Sequence, residues 1–349
     1  MGTAELQERK RKVLVSVIQI FVEQATPVSS QTVCEQLGTR VSSATIRNIM
    51  AELEEDGLIT HPHTSAGRVP TDKGYRYFVD ALMEQQAVSA DEAAEVRSVF
   101  SREYHAFGEL LERASQVLAS MTQQLAVGVA PTLRQESLQH FEAVPLGPGK
   151  FLGVLRTTDG FVHSHVIDLQ EELQLEELGR LLRFINAELA GVELAQVEEL
   201  LTRRLLAQQD TLFYLMKQAM QMLQLSLNEM DEERVYYDGL GNLFIQPEFR
   251  TDMDHVRVLV QTLESKAALL RVMEEALAQP GLQVTIGSEH PSAVLHACST
   301  VSASYGLGGH VLGRIAVVGP KRMEYPKVAS LVDYLAQQMS EYLTPAFRE

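Results

Sequence analysis

The spacing of apolar residues near the start of the chain predicts three helices in close succession. Apolar side chains recur every three or four positions over residues 5–25, as on one face of an amphipathic helix. A second, short helix is predicted over 29–38, where Gly38 permits a left-handed C-cap. A third is predicted over 42–57. A short helix, a tight connection and a longer helix form the pattern of a helix-turn-helix.

The segment after the third helix predicts a β-wing. Residues 58–60 form a predicted short strand, residues 61–68 a turn-rich loop, and Val69 the returning strand. A further helix is predicted next, capped by Thr71 or Asp72. The first eighty residues are therefore expected to form a winged helix-turn-helix.

Beyond residue 85 the apolar pattern changes between helix and strand. Residues 85–125 predict a long bridging helix or a pair of helices, and residues 173–230 a second helical block with a break at Gly191. Strands are predicted at residues 141–145, 151–155, 161–167, 284–286, 294–305 and 313–318. This order predicts an α/β sheet domain that is interrupted by an insertion.

Net charge limits where a nucleic acid could bind. The 349-residue chain has a net charge of −16, yet residues 1–80 contain nearly equal numbers of basic and acidic residues. A polyanionic duplex would be repelled by the acidic remainder, so any DNA contact must lie in the N-terminal segment. Two basic clusters occur there: residues 9–12, and Arg68, Lys73 and Arg76 beside His61 and His63. Solvated helix faces are the alternative interpretation of both clusters.

The third helix carries acidic residues at its C-terminal end, so it could enter a DNA groove only by its N-terminus. Arg68, beside Gly67 on the wing, is expected to reach a phosphate or the minor groove. A structural three-helix module without DNA contacts is the alternative. The predicted DNA-contact residues are Arg11, Ser43, Thr45, Arg47, Asn48, His63, Ser65, Arg68, Lys73 and Arg76.

Other features exclude several classes of protein. No apolar stretch approaches the roughly 20 residues of a membrane span, and no secretory signal is visible, which predicts a cytoplasmic protein. The two cysteines, Cys34 and Cys298, are expected to be buried thiols. His163 and His165 lack a third metal ligand, and Gly147-Pro-Gly149 is predicted to be a hairpin turn. We therefore expect no cofactor, no metal and no catalytic site.

Five segments carry a resemblance to a known family. The run from Val41 to Asp80 resembles the N-terminal signature of HrcA, the heat-inducible transcription repressor of bacteria. Residues 237–243, 246–249, 286–289 and 319–325 resemble its C-terminal motifs. Two positions depart from the usual pattern: His290 follows Gly-Ser-Glu where the family has asparagine, and Lys321 stands where threonine is usual.

The resemblance implies an α+β multidomain fold and a function. It implies a winged helix-turn-helix over 1–85, a GAF-like α/β domain over 86–135 and 236–349, and an inserted dimerisation domain over 136–235. It further implies a homodimeric repressor that binds an inverted-repeat operator, the CIRCE element, and is assisted by a GroEL-type chaperonin. Two alternatives remain: a metabolite-responsive repressor with a ligand in the GAF-like domain, and an enzyme with an accessory winged helix.

Overall fold

The computed structural model describes most of the chain and divides it into two units. The described residues are 3–38, 42–62, 67–84, 86–102, 104, 107–130, 136–158, 162–169, 173–205, 217–218, 221–225, 234–250, 253–266, 268–270, 280–307 and 310–346. One compact unit comprises residues 1–130 and 236–349, and residues 131–235 form the other. The first unit is thus interrupted in sequence by the second.

The N-terminal part of the first unit consists of four helices and a two-stranded wing. Its elements are α1 (Thr3–Gln24), α2 (Ser30–Leu37), α3 (Ser43–Glu55), β1 (Ile59–Thr60), β2 (Val69–Pro70) and α4 (Asp72–Ala81). The side chain of Ser29 caps α2, and Gly38 ends it in the left-handed conformation with φ 57°. Ser42 caps α3 by accepting a hydrogen bond from the Thr45 amide. The predicted winged helix-turn-helix is confirmed.

A single apolar core joins these elements. Ile46, Ile49, Met50 and Leu53 of α3 are buried against Leu14, Val17 and Ile18 of α1. β1 and β2 pair antiparallel, with Ile59 opposite Pro70. Helices α1 and α2 and strand β1 therefore fix the position of α3, which has its polar face directed outwards.

Two helices and a strand complete the first half of this unit. They are α5 (Ala90–Phe100), α6 (Phe107–Thr122) and β3 (Leu125–Val129). The region predicted as a helix or helix pair is thus a pair. The predicted C-terminal boundary of this helical region, residue 125, was wrong, because Leu125 begins a strand that is buried along its whole length.

The second unit contains an antiparallel three-stranded meander and helices. Its elements are β4 (Leu138–Gly147), β5 (Lys150–Thr157), β6 (Val162–Asp168), α7 (Leu175–Glu188) and α8 (Leu194–Leu205). The predicted hairpin at Gly147-Pro-Gly149 is confirmed, with Gly149 at φ 68°. The side-chain amide of Asn186 in α7 both donates to and accepts from the backbone of Phe141 in β4. This pair of hydrogen bonds fixes the helix on the inner face of the sheet.

The chain then returns to the first unit and completes its sheet. The elements are β7 (Val235–Asp238), α9 (Gly241–Ile245), α10 (Met253–Glu264), β8 (Leu282–Ile286), β9 (Cys298–Leu307), β10 (His310–Pro320) and α11 (Tyr325–Ala346), with short 3-10 turns at Pro247–Arg250, Gly287–Glu289 and Ala293–Leu295. The strand order is β7-β3-β10-β9-β8, and the pairs β3–β10, β10–β9 and β9–β8 are antiparallel. Helices α6 and α11 cover the apolar face formed by Val301, Ala303 and Val317. The fold is therefore α+β.

No helix in the described part of the chain combines the length and the apolar character that crossing a bilayer requires.

Candidate nucleic-acid interface

The N-terminal half of α3 presents polar side chains to solvent. Arg47 and Asn48 are exposed, and neither side chain has a hydrogen-bond partner among the described residues. They lie within two turns of the helix start, where unpaired backbone N–H groups and the helix dipole favour a phosphate. This arrangement can place an arginine fork and an amide at base edges, while the backbone holds a phosphate.

The hydroxyls of Ser43 and Thr45 are less available for DNA contact than the side chains of Arg47 and Asn48. The Ser43 hydroxyl lies 3.1 Å from the Ser30 hydroxyl, which joins the starts of α2 and α3. The Thr45 hydroxyl lies 3.0 Å from that of Ser42, the capping residue. Both are half-buried, so their hydroxyls support the helix-turn-helix geometry, and Thr45 remains at the edge of the exposed face.

The acidic end of α3 holds the wing and α1. Glu54 accepts from Arg68 at 3.0 Å and also contacts His61, so one carboxylate binds both sides of the wing. Lys10 of α1 lies 2.8 Å from Glu52 and 3.5 Å from Asp56, and its hydrogen bond to Glu52 raises the pKa of the ammonium. From the sequence, these acidic residues were expected only to repel the phosphates of DNA. Their basic partners on α1 and the wing could not be identified without the tertiary structure.

Arg68 lies at the base of the wing. Its backbone exchanges two 2.8 Å hydrogen bonds with Val28, and its side chain is only 20% exposed. A Cβ atom on Gly67 would lie 2.5 Å from the carbonyl oxygen of Val28, so this position requires glycine. The sequence analysis expected Arg68, beside Gly67, to reach a phosphate or the minor groove. In the structure, the backbone of Gly67 lies close to that of Val28.

Arg11 and Lys73 lie at the opposite end of α3 from Arg47. Lys73 Nζ donates to the Asp56 carbonyl at 2.8 Å, and both cations line an open groove of about 480 Å³ that also contains Asp56. At 1.5 Å per residue, the last residue of α3, Glu55, is about 12 Å along the helix from Arg47. The two cations therefore cannot act on the same bases as Arg47.

Arg76 has a different contact from the one predicted. Its guanidinium donates through Nε to Glu289 at 2.8 Å, through a second nitrogen to the same carboxylate, and to Asp80 at 3.1 Å. The hydrogen bond with Glu289 raises the pKa of Arg76. These contacts are made within the chain, so the guanidinium is not available as a simple phosphate ligand. His63 and Ser65 of the wing tip lie outside the described residues.

The polar face of the five-stranded sheet contains a buried cation. Arg314 on β10 is inaccessible to solvent and donates to the Ser302 hydroxyl at 2.9 Å and to the Gly281 carbonyl at 3.3 Å. Desolvation lowers the pKa of its guanidinium to about 10.

Within the described residues no group of three or more histidine, cysteine or acidic side chains could hold a metal ion.

Comparison with known proteins identifies relatives over nearly the whole chain. A family model for the winged helix-turn-helix transcription repressor HrcA, DNA-binding, matches residues 5–84, and one for the HrcA protein C terminal domain matches residues 108–329. The heat-inducible transcription repressor HrcA of Desulforudis audaxviator is 34% identical over 344 residues, which are 98% of this chain and 99% of that protein. That of Carboxydothermus hydrogenoformans is 35% identical, covering 97% and 98%. A crystal structure described as a hypothetical protein shares 26% identity with a TM-score of 0.59, over 97% of this chain and 98% of that one.

Proposed function

Because the chain belongs to the HrcA family of heat-inducible transcription repressors, we propose that it represses chaperone operons in the cytoplasm by binding an inverted-repeat operator, the CIRCE element, as a homodimer. The observation that carries the DNA-binding part is the exposed N-terminal half of α3, where the side chains of Arg47 and Asn48 have no hydrogen bond or ion pair with the described residues. That face is the part of a winged helix that reads a major groove.

The proposed contacts fall into two groups. Arg47 and Asn48, with Thr45 beside them, contact base edges, because arginine and asparagine make bidentate pairs with guanine and adenine. His63 and Ser65 of the wing, together with Arg11 and Lys73, contact phosphates. Arg68 and Ser43 hold the wing and the helix-turn-helix in place from within the domain.

The test compares operator with scrambled duplex. Arg47→Ala and Asn48→Ala should each reduce discrimination between the two by roughly 1–3 kcal/mol, measured by fluorescence anisotropy at fixed salt. Arg180→Ala is the matched control, since Arg180 is an exposed arginine of α7 in the other unit. Wild-type preference in both α3 variants would contradict the proposed recognition helix.

The second unit supports the dimeric part of the proposal. The face of its sheet that points away from α7 exposes Val144, Leu146, Val162 and Val166. Val144, Leu152 and Val166 lie side by side across the three strands. A patch of exposed apolar side chains like this one is typical of a contact with a second protein surface. A twofold operator requires a twofold protein, so a second copy of this chain is the occupant we propose.

The chaperonin part rests on the resemblance alone. We expect purified GroEL to increase the fraction of repressor that binds operator in a mobility-shift titration, at both a low and a raised temperature. Because a chaperonin acts on folding, the operator affinity of the active protein should not change. Equal active fractions with and without GroEL at both temperatures would contradict a role for the chaperonin.

A further inference from the structure

Helix α4 is bound to the sheet domain by ion pairs. Arg76 donates through two nitrogens to the Glu289 carboxylate and also to the carbonyl oxygen of Val284 on β8. Glu289 is held in turn by the Ile286 amide at 2.8 Å, and its hydrogen bond to Arg76 counteracts desolvation and lowers the pKa of the carboxyl. Paired N–H donors on one carboxylate give a fixed geometry as well as attraction.

A second pair lies one turn earlier on α4. Asp72 accepts from Lys321 at 2.6 Å and from the Ser288 amide at 2.9 Å. Gly287 has φ +52°, and a Cβ atom there would lie 2.3 Å from the Asp72 carboxylate. Between the two pairs, the rings of Tyr75 and Tyr325 pack with centroids 5.7 Å apart. The turn at Gly287–Glu289 is therefore shaped to receive α4.

Helix α4 is also joined firmly to the recognition helix. The Thr71 hydroxyl donates to the Gly57 carbonyl at 2.7 Å and accepts from the Gly74 amide at 3.0 Å, so the residue that caps α4 is anchored where α3 ends. Lys73 adds its contact with Asp56. Whatever fixes α4 on the sheet domain thereby fixes the direction of α3.

We propose that Asp72 and Arg76, with their partners Lys321 and Glu289, form a latch between α4 and the sheet of the same unit, and that this latch positions the recognition helix. The latch sets the distance between half-sites at which both α3 helices of a dimer can bind together, because a loosely attached head would reach many spacings. This inference rests on the proposed binding of a dimer to an inverted repeat. Arg76 is in this view a positioning residue that does not contact DNA.

The test removes either of two carboxylates that bind Arg76. Glu289→Gln weakens the latch, whereas Asp80→Asn removes only the partner within α4, four residues away. Each full-length variant is titrated against a CIRCE duplex, against duplexes with altered spacers, and against a single half-site. Glu289→Gln should weaken binding at the native spacing roughly tenfold, keep half-site affinity, and flatten the dependence on spacing.

The direction of the effect separates positioning from electrostatics. Loss of a negative charge alone would strengthen DNA binding slightly, so Asp80→Asn should bind at least as well as wild type. The double variant Arg76→Glu, Glu289→Arg should restore the spacing preference. Faster amide exchange at Ser288 in Glu289→Gln would report release of α4, because that amide donates to Asp72.

Three results would be decisive. If Glu289→Gln keeps the wild-type spacing profile, the latch is overturned while the operator function stands. If binding to the single half-site falls as much as binding to the operator, the contact serves folding or DNA binding and the latch is again overturned. If wild type shows no preference for the inverted repeat, the proposed function itself fails.

Discussion

At the scale of single residues, Gly74 shows how a short contact determines side-chain identity. It lies in the first turn of α4, and a Cβ atom there would lie 2.0 Å from the carbonyl oxygen of Leu58. Gly74→Ala should therefore lower the free energy of unfolding by about 2–3 kcal/mol, because the backbone of the wing must shift. Thermal or urea unfolding measures this.

A matched glycine provides the control for that substitution. Gly241 at the start of α9 has no atom within 4 Å of a Cβ position, so Gly241→Ala should leave stability unchanged or raise it slightly. Equal losses at the two positions would show that the contact with Leu58 is not the cause.

Sequence reasoning succeeded for residues whose role depends on local spacing. The left-handed C-cap at Gly38 and the cap at Thr71, one of the two predicted candidates, follow from local chemistry. It did not find the partners of Arg68 and Arg76, because Glu54 and Glu289 are brought to them by tertiary packing, the latter across 213 positions. A basic side chain near a predicted DNA surface can therefore contact DNA or form an ion pair within the protein, and only the fold distinguishes the two.

At the scale of elements, the wing depends on α3 through Glu54. Glu54→Gln should loosen the wing, because the carboxylate that holds both His61 and Arg68 loses its charge. We expect faster amide exchange at Arg68, whose amide donates to Val28, and operator affinity that is severalfold weaker.

Glu55, next to Glu54 in the sequence, provides the control substitution. Glu55→Gln removes the same charge from an exposed position on the same helix turn, so it should leave amide exchange at Arg68 unchanged and should not weaken binding. Identical effects of the two substitutions would mean that general repulsion between α3 and DNA, and not support of the wing, explains the role of Glu54.

Strands and helices were predictable to different degrees. β3 was not predicted, and only its first residue, Leu125, fell within the predicted helical region. Its five residues are all buried, and a continuous apolar run has no periodicity that separates strand from helix. α11 was not predicted, although Val328, Val332, Leu335 and Met339 have helical spacing and are buried on the sheet. The signal for α11 was thus present in the sequence, whereas the signal for β3 was not.

At the scale of the whole molecule, the sequence indicated an interrupted sheet domain but not its interior contacts. The insertion was predicted over 136–235, and the separate compact unit spans 131–235. The C-terminal motifs at 286–289 and 319–325 were recognised only as a resemblance. In the structure they hold Glu289 and Lys321 against α4. Their physical role required a tertiary structure, because both partners lie in the N-terminal segment.

The proposed dimer surface rests on side-chain exposure in the second unit. The helical block predicted over residues 173–230 carries a stripe of leucine and methionine, yet its members Met222 and Leu223 are buried in the core of the second unit. Much of the remaining stripe lies outside the described residues. The exposed sheet face with Val144 and Val166 is consequently the better candidate for the dimer surface.

The last prediction tests that face in the intact protein. Val144→Asp and Val166→Asp place charges on a twofold apolar contact and should give monomers in light scattering, with operator affinity close to that for a half-site. Both side chains are about half exposed, at 50% and 48%, so neither change should unfold the unit. Val258→Asp on α10 is the control, because Val258 is 43% exposed on the other unit and should leave the dimer intact. Dimers that bind operator normally despite both substitutions would place the twofold contact elsewhere.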